Sequence, residues 1–189
     1  MIKYLLGFVF ILGLIYMLAP DPGSINDFPP LPNSLKSDEP GDTWQVPNIA
    51  AYFSDADREE ITNFYREEYR KKFIFGSIIP PISLNYPPIA AYQYVRDFLL
   101  HSPFLVDYSY PLRGSIFVNG YEISIYKDIK KLTHAKPYDV IQIKGQHFKS
   151  KTTIKLYTSH WYMRLVTYLG IWGACFAIFV LFKKVIKEK

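Results

Sequence analysis

Eight lysines fall between residues 127 and 155: Lys127, Lys130, Lys131, Lys136, Lys144, Lys149, Lys151 and Lys155, against only Asp128 and Asp139. Clustered ammonium groups attract anionic polymers and lipid headgroups. Tyr126, Tyr138 and Phe148 interleave with them, and aromatic faces can stack on bases. Arg113, within residues 110–115, offers a planar fork suited to carboxylate or phosphate. The candidate anion-binding residues are therefore Arg113, Lys127, Lys130, Lys131, Lys144, Lys149 and Lys151. Blander roles compete with this one. Arg113 can pair with Asp107 or Glu122, and the lysines can keep edge strands soluble or hold an acidic segment. Residues 20–60 supply such a segment, with nine acids against Lys36 and Arg58.

Other chemistry lacks the necessary spacing. His101, His134, His147 and His160 include no i,i+4 pair able to grip a metal. Asp55, Asp57, Glu59 and Glu60 are close in sequence, whereas glycosidases hold two carboxylates on opposite sides of a cleft. Acids at a helix start are explained by the helix dipole. No nucleotide loop, zinc pattern or nucleophile elbow is present. No catalytic, metal-binding or cofactor-binding residue is assigned, and no small-molecule substrate is identified.

The elements that must position these residues can be read from periodicity. Residues 54–73 predict a helix with Ser54 as N-cap and Ile61, Phe64, Tyr65 and Tyr69 on one face. Glu67–Lys71 and Glu68–Lys72 are spaced for i,i+4 pairs. Pro88 suits the start of a second helix, whose stripe is Ile89, Tyr92, Val95, Leu99 and Leu100, ending near His101. Asn119-Gly120, between two β-rich runs, predicts a type I′ hairpin turn. Two further strands within residues 138–160 are joined by a turn near Gly145. The expected fold class is a membrane-anchored α+β protein. Its small domain has two helices followed by about four antiparallel strands.

The ends set the compartment. Residues 165–182 are 18 uncharged residues, about 27 Å of helix at ~1.5 Å per residue, close to the thickness of a bilayer's hydrocarbon core. Trp161 and Tyr162 stand before them, and Lys183, Lys184, Lys187 and Lys189 behind. Residues 4–19 are a second uncharged run after Lys3. Met17 is large at the −3 position of a cut after Ala19, so an uncleaved signal anchor is expected rather than a cleaved signal peptide. Lysine-rich flanks stay in the cytoplasm. Both termini are thus expected inside and the middle outside, with Arg164 snorkelling to the headgroups.

The expected organisation is a signal anchor at 1–20, a proline-rich tether at 21–47, an extracytoplasmic domain at 48–160, a transmembrane helix at 161–183 and a basic tail at 184–189. Residues 21–47 serve either as a plain tether or as a strap lying on the domain. The net charge of +5 belongs mostly to the membrane flanks, which weakens a nucleic-acid assignment. Cys175, the single cysteine, lies in the second span, so the outer domain has no disulfide. That favours a bacterial or archaeal envelope. Gly170–Ala174 and Gly173–Ala177 are small-xxx-small pairs able to seat the first span or a partner helix, the internal pairing being simpler. The expected role is a structural or accessory interaction subunit of a cell-envelope complex in the inner membrane. Its partners would be the lipid bilayer and a membrane protein or a second copy. The alternatives are a polyanion-binding module and a membrane-anchored enzyme.

Overall fold

A computed structural model describes residues 2–86, 102–122 and 141–187. The chain divides into two units, residues 1–21 with 159–189, and residues 22–158. The second predicted helix, near residues 88–101, lies outside the described residues, as do Lys127, Lys130 and Lys131.

Residues 22–158 are α+β, built on an antiparallel six-stranded sheet. Its strands are β1 (Leu35–Lys36), β2 (Ile49–Ser54), β3 (Ile82–Asn85), β4 (Ser102–Ser109) and β5 (Ser115–Glu122), completed by β8 (Ser150–Tyr157). Their spatial order is β1-β2-β8-β5-β4-β3. A separate two-stranded ribbon pairs β6 (Ile141–Ile143) with β7 (Gln146–Phe148). Along β5 and β8 buried and partly exposed residues alternate strictly, as the two-residue period of a strand covered on one side requires. Ile116, Val118, Ile154 and Leu156 form the centre of that covered face.

Helix α2 (Arg58–Lys72) covers it, burying Ile61, Tyr65 and Tyr69. Asp57, not Ser54, is the N-cap. Its side chain accepts from the Glu60 N–H, and Glu60 reciprocates to the Asp57 N–H, which satisfies two orphan donors. Ser54 ends β2 instead and hydrogen-bonds Ser150 at 2.9 Å. Glu67 and Glu68 pair with Arg70 and Lys71, spaced i,i+3 rather than the expected i,i+4.

Three strand assignments differ from expectation. Strands β1 and β2 precede α2, and β3 and β4 occupy residues for which no strand was expected. Asn119-Gly120 is not a turn. Strand β5 runs through both residues, paired on either side with β4 and β8. Gly120 is needed there for close approach: a Cβ would collide with the Lys151 carbonyl and the Phe104 ring. The turn near Gly145 is present, joining β6 to β7 through Lys144 and Gly145, both with positive φ.

Residues 22–47 are part of this unit and lie on it. Ile25, Phe28 and Leu31 are buried, and β1 pairs antiparallel with β2. The prolines therefore shape a strap on the domain.

The other unit is an antiparallel hairpin of α1 (Ile2–Leu18) and α3 (Trp161–Lys187). Residues 161–186 are long and apolar enough to cross a membrane, while α1's apolar stretch is shorter, at 16 residues. The helices meet through Arg164, Tyr168 and Trp172. The Tyr168 hydroxyl donates to the Phe10 carbonyl at 2.8 Å, and Phe10 packs edge-on to Trp172. Gly13 makes the seat, because a Cβ there would overlap the Tyr168 ring.

Candidate functional site

The sequence-predicted anion site does not assemble as an open basic face among the described residues. Strand register places Lys151 opposite Phe53 on β2 and Tyr121 on β5, turned toward the strap. Its ammonium lies 2.8 Å from Asp42, 3.1 Å from Glu39 and 5.2 Å from the centre of the Phe53 ring. Burial works against its charge, but Asp42 above all and then Glu39 outweigh burial and raise its pKa above the ordinary lysine value. Ser37 fastens the strap beneath. Its N–H donates to the Ala51 carbonyl and its hydroxyl to Asp42 at 2.6 Å.

Lys144, at the tip of the β6–β7 ribbon, pairs with Asp38 at 2.7 Å. That bond holds the exposed Asp38 carboxyl below its ordinary pKa. The ribbon itself packs Ile141, Ile143 and Phe148 onto Phe53. Lys149 is exposed, and its backbone N–H caps Asp55. Two of the candidate lysines thus hold the acidic strap.

Arg113 is buried, its guanidinium 4.6 Å from the centre of the Phe73 ring. It does not take Glu122, which pairs instead with Arg58 at 3.1 Å and accepts the Arg58 N–H at the start of α2. Asp107 is also buried. Desolvation raises its pKa, while a hydrogen bond from Ser115 opposes the shift. The acids Asp55, Asp57, Glu59 and Glu60 sit around the α2 N-terminus. A cavity of about 540 Å3 there is lined by Leu31, Asn33, Asp55, Glu60 and Phe64. Asp55 and Glu60 each accept a backbone N–H group. No group of three metal-ligating side chains converges among the described residues.

Arg164 does not reach outward as expected. It is buried in the helical hairpin, paired with Asp21 and donating to the Ala19 carbonyl. The Gly170, Gly173, Ala174 and Ala177 stripe does not seat α1. These residues are exposed, and a Cβ at either glycine would meet nothing within 4 Å. At 3.6 residues per turn the stripe lies on the side of α3 opposite Tyr168. Helix α1 uses Gly13 in its place. The signal for Gly13 was a glycine within an apolar run, but nothing in sequence ties it to Tyr168, 155 residues on. Comparison of the chain with protein-family models, curated proteins and solved structures gives no match, so function rests on the geometry of these two units.

Proposed function

We propose that this protein is a two-span inner-membrane subunit whose extracytoplasmic domain serves protein interaction in a cell-envelope complex. Helices α1 and α3 form the intramembrane hairpin, with both termini cytoplasmic, as the terminal lysines favour. The observation that carries the proposal is the division of α3 into two faces. One holds α1 through Arg164, Tyr168 and Trp172. The opposite one, with Gly170, Gly173, Ala174 and Ala177, is left open. Small residues let backbones approach closely in lipid, where packing rather than hydrophobicity drives association. A second helix, from a partner or another copy, fits there.

The Arg164–Asp21 pair supports the hairpin, since a cation near the membrane needs a counter-charge. The domain favours interaction over catalysis in the same way. The buried Glu122 and the partly buried Lys151 are each matched to a structural partner, and the buried Arg113 lies against the Phe73 ring. The polyanion alternative would have to use Lys144, whose pair with Asp38 is exposed, and Lys149, with residues outside those described.

Two measurements test the proposal. In a Cys175→Ser background, Gln146→Cys should react with a membrane-impermeant maleimide in intact cells. Reaction only after permeabilisation would reverse the topology. In mild detergent the protein should migrate as a complex larger than its own micelle, and Gly173→Leu with Ala174→Leu should release it. A monomer indifferent to both changes would sink the interaction role.

A further inference from the structure

The α2–β3 and β4–β5 connections meet at one end of the sheet. Tyr110 ties them together: its hydroxyl donates to the Ile79 carbonyl at 3.1 Å, and its ring lies 4.3 Å from that of Phe73. From this cluster project Ile74, Ile78, Ile79, Ile82 and Leu112, with Ile78 79% exposed and Ile74 65% exposed. Leu112 holds a φ of 59°, a left-handed conformation costly for a bulky residue, while its side chain stays in solvent. A soluble surface does not ordinarily gather five exposed aliphatic side chains on two adjoining loops and the start of a strand.

The chain shows what lies near them. Ser115 opens β5 opposite Tyr157, the last residue of β8, so this is the end at which β8 leaves the sheet. Three residues separate Tyr157 from Trp161, a tether of at most about 14 Å at ~3.6 Å per step. The incoming strap reaches the same end, where Phe28 stacks on Tyr69 and the Tyr69 hydroxyl donates to the Gly114 carbonyl. Arg70, Lys71 and Lys72 close the last turn of α2 beside the loops. Arg70 pairs with Glu67 where both side chains are exposed, a pair weak enough to exchange, and the Lys71 side chain, paired with Glu68, is itself exposed.

We infer that this loop cluster is a second membrane contact. Ile74, Ile78, Ile79 and Leu112 would dip into the headgroup–acyl boundary of the bilayer that α3 crosses, with the basic turn at headgroup level. An apolar edge rimmed by cations is the chemistry of interfacial insertion. The inference rests on the membrane assignment of α3 made above, and it adds a fixed footing for the domain. The lipid surface is preferred to a second copy because both chain connections leave at this end.

Full-length protein carrying Cys175→Ser would be reconstituted in phosphatidylglycerol–phosphatidylcholine nanodiscs. Single nitroxide labels would be placed through Ile78→Cys, Gln146→Cys or Phe176→Cys, and their accessibility to oxygen and to a water-soluble nickel chelate compared. The expected result is a deep Phe176 site, a shallow but oxygen-favouring Ile78 site and a nickel-favouring Gln146 site. A deep Phe176 site with a nickel-favouring Ile78 site would overturn the inference and leave the membrane assignment standing. A nickel-favouring Phe176 site would remove the membrane assignment and the inference with it. An Ile78 site shielded from both reagents, with dipolar broadening between labels, would put a second copy on the patch and overturn lipid contact.

Discussion

Lys151→Met tests whether the lysine-rich strands hold the strap or await a polyanion. The Lys151 side chain is 14% exposed and that of Asp42 12%, with their charged atoms 2.8 Å apart. Removing one partner of a fully buried pair costs about 3–5 kcal/mol, because the other charge is left desolvated. Here Asp42 keeps its hydrogen bond from Ser37, and Glu39, 55% exposed, recovers its water. A loss of about 2–3 kcal/mol is expected. For a unit of this size that lowers the melting temperature by roughly 6–12 °C. Near-ultraviolet circular dichroism of the full chain in detergent would follow the melt. Asp42→Asn should cost a similar amount, and the double variant less than the sum, by at least about 1 kcal/mol. Lys144→Met, which breaks an exposed pair, should melt with wild type. The Lys151 pKa is raised in the fold, so its contribution is complete below 10.5 and lost as pH rises through the higher folded value. The gap between wild type and Lys151→Met should therefore close in strong alkali. A Lys151→Met protein as stable as Lys144→Met, with additive double-variant energies, would refute the strap argument.

Three further outcomes are expected. Gly120→Ala should cost about 2–3 kcal/mol by overpacking between β4 and β8, read by the same melt; a neutral result would restore the turn assignment. Gly13→Leu should unseat Tyr168 and shift the emission of Trp172, measured with Trp44 and Trp161 changed to phenylalanine, whereas Gly7→Leu, with nothing within 4 Å of its Cβ, should not. Asp107 binds its proton more tightly folded than unfolded, so its contribution is complete below 3.8 and lost as pH rises. Asp107→Asn should therefore melt above wild type at pH 7 and lose that advantage in acid; an advantage independent of pH would exclude the carboxylate as its source.

What was legible in the sequence was local. Helix α2 announced itself through a 3.6-residue stripe, acids at its start and basic residues at its end. Helix α3 showed as an uncharged run, and β8 as alternation ending in the membrane flank. What failed depended on partners distant in the chain. Ser102-Pro103 reads as a stop, yet it opens β4, because β3 pairs only with residues 106–109 and leaves the proline's missing N–H without a demand on that side. Asn119-Gly120 spells a turn, and only the Phe104 ring and the Lys151 carbonyl reveal that the glycine was needed for space. Charge segregation was visible, with acids early and lysines late. Whether the two segments meet each other or an outside ligand depends on a contact spanning 109 residues, from Asp42 to Lys151.

That contact reframes the basic character of the chain. A +5 protein with a lysine-rich sheet invites a polyanion, yet the force available to one depends on charge that remains free. Lys151 already has two carboxylates and an aromatic face, so an incoming phosphate would have to displace Asp42 from a largely buried site and leave it desolvated. Lys144 presents no such barrier, since its pair with Asp38 lies in water and exchanges cheaply. Any anion binding by the described lysines of the candidate set should therefore be weak, steeply salt-dependent and carried by Lys144 and Lys149. A titration with heparin would show it. Loss of binding in Lys144→Met with Lys149→Met, while Lys151→Met binds normally but melts early, would separate the lysines that face solvent from the one that fastens the strap. Loss of binding in Lys151→Met without loss of stability would reverse that assignment.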